Sequence, residues 1–283
     1  MTTLRVGGVP EHFNLPWHIA IEAGDFEYED LKIEWVEFPG GTGAMNAALR
    51  NNEIDIAIIL TEGIIKDIAD GNPSRIIQTF VHSPLIWGIH VAANSKYNSI
   101  SDLQNTKAAI SRWGSGSHLM AYINANKQGW DTKELEFELV GDIDGAIKAL
   151  KEDTAQYFMW ERFTTQPLVD QKIFRRVGDC PTPWPCFVIA ATEHILDTAH
   201  HDVRKMLKVI NTETISFKET PEISSVLASR YGQREEDILD WLDITAWSQS
   251  QLTALEIENI QNNLLNLNLI SEKLPGNKII HNL

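Results

Sequence analysis

Several segments rich in Gly, Ser, Thr, Trp and Glu could bind a ligand, and each follows a predicted β-strand. They contain Glu11, His12, Phe13 and Trp17; Gly41, Thr42 and Gly43; Thr61 and Glu62; Ser115, Gly116, Ser117 and His118; and Trp160 and Glu161. In parallel α/β sheets, ligands bind beyond the carboxyl ends of the strands, where loops lead into helices. We therefore expect these five loops to converge on one ligand site.

The glycine-rich turns have the chemistry of a polar binding surface. Glycine lets backbone N–H groups approach a ligand, and a helix N-terminus favours negative charge. Thr42, Ser115 and Ser117 add hydroxyl groups. Neither turn has the Gly-Lys-Ser/Thr ending of a nucleotide-binding P-loop. Ordinary helix capping explains such turns equally well, so both interpretations stay open.

Tryptophan and glutamate recur in these loops. Tryptophan also lies near residues 86–93 and 186–191, two segments where the chain is predicted to cross between two lobes. Trp160 precedes Glu161, Thr61 precedes Glu62, and Trp87 and Trp184 lie near the crossings. An aromatic ring beside a carboxylate suits a flat heterocycle with an amino group, which stacks and donates hydrogen bonds. Alternatively, the two glutamates stabilise the first turns of helices, and about half of the tryptophans belong to the core.

Composition and charge exclude several classes of function. The chain has 24 Lys and Arg against 39 Asp and Glu, a net charge of -15, and no basic run. Nucleic-acid binding needs clustered positive charge, so we exclude it. The apolar run Ile56–Leu60 is too short for a membrane span. Cys180 and Cys186 are interpreted as free thiols, with no metal or cofactor expected.

The order of predicted elements indicates the fold class. Short apolar strands alternate with amphipathic helices in two successive cycles, and the remainder from residue 201 is helical. This rhythm predicts an α/β protein with a mostly parallel sheet and flanking helices in each of two lobes. Lobe one would comprise residues 1–88 and 190–283, and lobe two residues 89–189. Crossings near 86–93 and 186–191 would form a two-strand hinge with a ligand cleft.

Five segments of the sequence resemble the type II periplasmic-binding-protein family, in the branch that binds nitrate, sulfonates and thiamin-pyrimidine precursors. They are residues 9–17, 40–45, 55–57, 114–118 and 158–161. The resemblance extends to about residue 195 and more loosely into the helical tail. It implies a two-lobed fold whose ligand contacts Trp17, Thr42, Thr61, Ser115, Ser117 and Trp160. Because no leader segment precedes the first strand, the chain is similar to intracellular, fungal-type homologues, which predicts a cytoplasmic location. If a leader was removed, the location is extracytoplasmic, and a transporter permease becomes a partner.

The leading hypothesis is therefore the binding of a small heteroaromatic molecule such as an amino-pyrimidine, with or without an anionic group. The resemblance also includes enzymes, but their cysteine-rich motif and cofactor-bearing lysine are absent, which favours a protein without catalytic activity. An enzyme acting on a pyrimidine or a sulfonate or sulfinate compound stays an alternative, with His12 or His118 as acid–base or Cys186 as nucleophile. A ligand-sensing interaction protein is the third hypothesis.

Overall fold

Two five-stranded sheets organise the chain, whose residues Met1–Leu283 are all described by a computed structural model. Contacts divide the chain into unit 1, residues Met1–Ser83 with Trp184–Leu283, and unit 2, residues Pro84–Pro183. In chain order the strands are β1 Thr2–Gly8, β2 Leu31–Glu37, β3 Ile56–Leu60, β4 Ser74–Val81, β5 Ile86–Ala92, β6 Lys107–Ile110, β7 Glu136–Leu139, β8 Tyr157–Glu161, β9 Phe174–Pro181 and β10 Phe187–Thr192.

Eleven α-helices connect and cover these strands. They are α1 Leu15–Ala23, α2 Gly41–Arg50, α3 Thr61–Ala69, α4 Gly116–Gln128, α5 Ile143–Lys151, α6 Gln166–Asp170, α7 Glu193–Thr198, α8 His200–Ser216, α9 Ile223–Tyr231, α10 Glu235–Ile244 and α11 Ala254–Asn266. None of them is long and apolar enough to cross a membrane.

The sheet of unit 1 has the strand order β2-β1-β3-β10-β4. Strands β1, β2 and β3 are parallel, whereas β10 runs antiparallel between β3 and β4. All six residues of β10 are buried, as are the first four of β3, because helices cover both faces of a central strand. As a result, the carboxyl ends of β1, β3 and β4 and the start of β10 lie along one edge.

The sheet of unit 2 has the order β7-β6-β8-β5-β9, with β6 parallel to β7 and β8, and β5 antiparallel to β8 and β9. Small and aromatic residues fill one side of it. Ala109, Ala149, Phe158 and Phe174 belong to this buried cluster, which closes α5 onto the sheet. The carboxyl ends of β6 and β8 and the start of β5 therefore share an edge.

The structure adds to the sequence interpretation and corrects it in part. Residues 86–92 and 187–192, which lie in the predicted crossing segments, form the antiparallel strands β5 and β10. Strand β9 was not predicted, because Arg175, Arg176, Gly178 and Asp179 leave it without an apolar pattern. Trp160 and Glu161 end strand β8 instead of forming a loop, so Glu161 does not lie in the first turn of a helix.

Candidate functional site

The carboxyl edge of the unit 1 sheet is fixed by Thr61, the first residue of α3. Its N–H donates to the carbonyl of Cys186 at 3.1 Å, and its hydroxyl donates to the carbonyl of Pro185 at 2.7 Å. Both acceptors belong to the segment that leads into β10. These two bonds hold residues 184–186 against the start of α3, although 124 positions separate Thr61 from Pro185.

Glu62 follows Thr61 and is a buried carboxyl group with one unpaired oxygen. Its side chain accepts a hydrogen bond from the Trp184 indole N–H through Oε2 at 2.8 Å, while Oε1 is buried and has no partner. Burial raises the pKa of Glu62 to about 7, and hydrogen bonds from its own backbone and from Trp184 partly oppose that rise. Titratable groups shifted in this way are concentrated at functional sites. The pair of Glu62 and Trp184 is therefore the strongest candidate for ligand contact in unit 1.

The first turn of α2 lies against the first turn of α3. Gly41 begins α2 with a φ of 65°, a left-handed conformation that glycine adopts without strain. The Thr42 methyl group lies where a side chain on Gly63 would be, and the Asn46 amide donates to the carbonyl of Gly63 at 3.2 Å. Thr42 and Gly43 are half-buried. The predicted residues of this turn are thus close to Thr61 and Glu62.

The segment after β1 is more buried than a solvent-facing loop. His12 and Phe13 lie in a short 3₁₀ helix, 1% and 4% exposed, and Glu11 precedes them half-buried. The Phe13 ring lies 5.1 Å from the Phe187 ring at the start of β10. Burial lowers the pKa of His12 to about 3, so its imidazole is neutral around pH 7. Phe13 thereby joins this segment to the same edge as Thr61.

Trp17 belongs to the core of unit 1. It is fully buried and packs against the rings of Phe26, Trp35 and Phe80 at 5.9 to 6.3 Å. Sequence position alone could not separate it from the loop, because it lies only four residues beyond Phe13, in the first turn of α1. Its complete burial among aromatic rings favours the core interpretation of this tryptophan.

The carboxyl edge of the unit 2 sheet carries a cluster of serine hydroxyl groups at the start of α4. The Ser117 hydroxyl accepts from the Ser111 N–H at 3.0 Å and lies 3.0 Å from the Ser115 hydroxyl. Ser115 caps α4, accepting from the His118 N–H at 3.3 Å. Gly116 opens the helix between them. These groups surround a helix N-terminus, which attracts negative charge.

His118 completes this turn. Its Nδ1 accepts from the Gly114 N–H at 3.1 Å, so the ring proton is on Nε2, which is buried and has no partner. Burial lowers the pKa of His118. The ring also contacts Trp113, at 5.1 Å, and Trp113 is 60% exposed. An exposed indole beside a polar turn is a surface on which a flat ligand can stack.

Trp87 and Glu161 pair across strands β5 and β8 at the same edge. Both side chains are buried, and the Trp87 indole N–H has no partner. Glu161 accepts a hydrogen bond from the Thr164 N–H at 2.6 Å, and burial raises its pKa. Trp160 points to the opposite face of the strand, where its ring stacks on Phe158 at 5.4 Å.

The structure thus groups the predicted residues within each unit. In unit 1 the segments 11–13, 41–43 and 61–62 lie at the carboxyl edge of the sheet, and in unit 2 residues 115–118 and the pair of Trp87 and Glu161 do so. Sequence reasoning missed Tyr231 and Trp241, which pack on His12 from α9 and α10. Neither had a signal beyond aromatic identity, since both lie more than 200 positions from His12 in the helical tail. Cys180 and Cys186 are free and buried, and no group of three or more His, Cys, Asp or Glu could hold a metal ion.

Comparison with known proteins agrees with this architecture. A family model described as Ca3427-like PBP, a periplasmic-binding-protein family, matches residues 87–180. The CA3427 gene product of Candida albicans belongs to a family with the generic periplasmic binding protein fold. Its structure is 25% identical to this chain, and the alignment covers 100% of this chain and 98% of the CA3427 chain, with a TM-score of 0.86. No curated protein matches the chain.

Two bacterial structures show the same fold at lower identity. The alkanesulfonate-binding protein SsuA of Xanthomonas axonopodis pv. citri is 16% identical over 99% of this chain and 98% of its own, with a TM-score of 0.83. The nitrate-binding protein NrtA of Synechocystis PCC 6803 is 15% identical over 99% and 86%, with a TM-score of 0.75. The chain therefore has the type II periplasmic-binding-protein fold, as predicted, and this fold supports ligand binding in general.

Proposed function

We propose that the chain binds a small, flat heteroaromatic molecule with an amino group, and that Glu62 recognises this group. The observation that carries the proposal is the buried carboxyl of Glu62, with Oε2 bonded to Trp184 and Oε1 unpaired. A buried polar atom without a partner is costly, so a ligand that donates a hydrogen bond to Oε1 gains affinity. An aminopyrimidine supplies such a donor in the plane of its ring.

The protonation behaviour of Glu62 fits the same ligand class. With a pKa of about 7, the carboxyl group is available in both forms near neutral pH. The ionised form accepts from an amino group, and the protonated form can also donate to the adjacent ring nitrogen. This two-point contact is satisfied by an amino group next to a ring nitrogen. An aliphatic sulfonate offers no such donor and would meet a carboxylate of like charge.

Isothermal titration calorimetry tests the proposal with 4-aminopyrimidine derivatives, the matching pyrimidines without the amino group, ethanesulfonate and nitrate. Wild-type protein should bind the amino compounds, and Glu62→Gln should weaken that binding about 10-fold to 100-fold, the cost of one hydrogen bond to a charged group. Glu258→Gln, on the exposed face of α11, is the matched control. Binding of ethanesulfonate with no binding of any aminopyrimidine would overturn the proposal.

A second candidate is the binding of an anionic group at the start of α4 in unit 2. The serine hydroxyl groups, the helix N-terminus and the exposed Arg112 beside them favour it. Two proteins of similar fold bind alkanesulfonate and nitrate. If this candidate holds, the same titrations show ethanesulfonate or nitrate binding that Ser117→Ala and Arg112→Gln weaken, whereas Glu62→Gln leaves it unchanged.

The remaining hypotheses stay predictions. As an acid–base group at neutral pH, His12 is disfavoured by its pKa of about 3, because efficient proton transfer needs a pKa near the working pH. Cys186, the predicted nucleophile, is fully buried. The cleft between two lobes and the ligand-sensing role also stay predictions.

A further inference from the structure

Strand β7 forms one edge of the unit 2 sheet and has only β6 as a neighbour. Just after β7, the Val140 N–H donates to the carbonyl of Ile110 of β6 at 2.9 Å. Because the backbone groups of successive strand residues face opposite sides, Glu138 also faces β6, whereas Phe137 and Leu139 direct their N–H and C=O groups away from the sheet. An edge with such outward groups is a template on which another extended chain can pair.

The acidic side chains of β7 lie on the face of the sheet that α5 covers. Glu138 is paired with Ala109, which belongs to the buried cluster beneath α5, so Glu136 and Glu138 lie on this face. A groove of about 260 Å³ lies between β7 and α5, and Glu138, Lys148 and Glu152 are among the residues that line it. A long side chain from a strand paired with β7 can therefore enter a groove that contains two carboxyl groups.

The apolar side chains of β7 lie on the opposite face, beside the start of α4. The Phe137 ring lies 4.9 Å from the His118 ring and 5.6 Å from the Trp113 ring. Trp113 is 60% exposed, and Leu139, on the same face as Phe137, is 53% exposed. Large apolar side chains that stay exposed side by side are typical of interaction surfaces. The apolar side chains of a paired strand can pack here.

The local charge decides which chain suits this edge. Residues 131–153, which contain β7 and α5, have eight Asp and Glu against three Lys, whereas unit 2 as a whole has 12 acidic and 11 basic residues. The acidic excess of unit 2 is thus concentrated around β7, where Lys107 lies 3.8 Å from Glu138. A second copy of the chain would bring two such segments together, and like charges on adjacent strands repel. A basic partner gains from the same charges.

We propose that the free edge of β7 binds an extended peptide segment of a partner protein in which basic and apolar residues alternate. The segment adds a strand to the sheet by bonding to the outward backbone groups of Phe137 and Leu139. Its basic side chains then lie near Glu138 and Glu152, and its apolar side chains lie near Trp113 and Leu139. This inference concerns a protein partner and does not depend on the small-molecule ligand of the proposed function.

Fluorescence anisotropy at low ionic strength tests the proposal with a labelled peptide of alternating valine and lysine. A second peptide has the same sequence with every backbone amide N-methylated, so it keeps the charge and the side chains but cannot donate to β7. We expect the first peptide to bind and the methylated one to bind about 10-fold more weakly or worse, the cost of the lost backbone hydrogen bonds. A peptide of alternating valine and glutamate should not bind.

Variants of the protein locate the binding surface. Glu138→Lys and Glu152→Lys should each weaken the lysine peptide about 5-fold to 10-fold, because an attractive exposed charge becomes a repulsive one. Glu258→Lys, an exposed substitution on α11 of unit 1, changes the net charge of the chain equally and is the matched control. It should bind the peptide as the wild type does, and melting temperatures check that all three variants are folded.

Four results would overturn the inference. Equal binding of the methylated peptide shows attraction by charge without strand pairing, and an equal loss in Glu138→Lys and Glu258→Lys shows general attraction to an acidic chain. The absence of lysine-peptide binding removes the basic partner. Sedimentation velocity of the chain alone gives the fourth, because a dimer whose stability Glu138→Lys changes would assign the β7 edge to a second copy. None of these results bears on the binding of aminopyrimidines, so the proposed function is tested separately.

Discussion

The ionisation of Glu62 reflects two opposing effects on one side chain. Removal from water disfavours the charged carboxylate, whereas the Trp184 indole N–H stabilises it through a 2.8 Å hydrogen bond. Burial is the larger effect, so the pKa rises to about 7. In unit 2, Glu161 is subject to the same opposition, with the Thr164 N–H as its donor and the same direction of shift. A ligand that forms a hydrogen bond to either carboxyl group can therefore change its protonation.

The pH dependence of stability follows from this shift in Glu62. The folded chain keeps a proton that the unfolded chain releases above pH 4.5, so the stabilisation is complete below that pH and is lost as the pH rises through 7. The side-chain amide of the Glu62→Gln variant has no proton to lose. Between pH 4.5 and 8 we expect wild-type protein to lose roughly 3 kcal/mol of unfolding free energy relative to Glu62→Gln.

Urea unfolding at pH 5, 6, 7 and 8 measures this difference. The histidines with lowered pKa values oppose the trend in both proteins, so their contribution cancels in the comparison. Glu258→Gln, an exposed substitution on α11, should follow the wild-type curve at every pH. Parallel curves for wild type and Glu62→Gln would contradict the assigned ionisation.

The sequence predicted the residues of the candidate site that follow parallel strands, but not those that reach it from distant parts of the chain. Thr42, Thr61 and Glu62 could be predicted because each follows a strand whose carboxyl end defines the edge of a parallel sheet. The bond from Trp184 to Glu62 spans 122 positions, and no local pattern encodes it. Trp241 reaches His12 only through the packing of the helical tail, which has no repeating relation to the sheet. Long-range packing therefore limited the prediction.

At the scale of elements, the close approach of α2 and α3 positions the polar turn of unit 1. Gly63 has no side chain, which makes room for the Thr42 methyl group, and the Asn46 amide bonds to its carbonyl at 3.2 Å. The two turns were expected to converge because both follow parallel strands, but the contact between Thr42 and Gly63 was not predicted. A glycine inside a helical pattern indicates a close packing contact but does not identify the residue that makes it.

Gly63→Ala should destabilise the chain by about 1–3 kcal/mol, because the new methyl group would overlap Thr42 Cγ2. In a Thr42→Ser background, which lacks that methyl group, the same change should be neutral or stabilising by about 0.5–1 kcal/mol through higher helix propensity. Chemical denaturation of the two single variants and the double variant measures the coupling. Gly276→Ala, where nothing lies near the added carbon, is the control. Equal effects of Gly63→Ala in both backgrounds would show that Thr42 is not the obstacle.

At the scale of the whole molecule, the two units repeat one arrangement. In each sheet four strands run in one direction, and the single antiparallel strand adjoins a connection between the units: β10 in unit 1 and β5 in unit 2. Each antiparallel strand starts near a tryptophan that lies against a buried glutamate. These are Trp184 with Glu62, through a hydrogen bond, and Trp87 with Glu161, through strand pairing. The repeated pair places the same two kinds of side chain at the carboxyl edge of both sheets.

Hydrogen exchange with bound 4-aminopyrimidine tests how far the site extends over the molecule. At a ligand concentration about 100 times the dissociation constant, amides that open only in the unbound protein should exchange roughly 100-fold more slowly. We expect this protection at residues 61–63 and 184–187 of unit 1. The sequence-based prediction of a shared cleft requires added protection at residues 115–118 of unit 2, together with the Trp87 and Glu161 amides. Protection confined to unit 1 would refute the shared cleft but leave Glu62 as the recognition residue. Protection confined to unit 2 would contradict recognition of the amino group by Glu62.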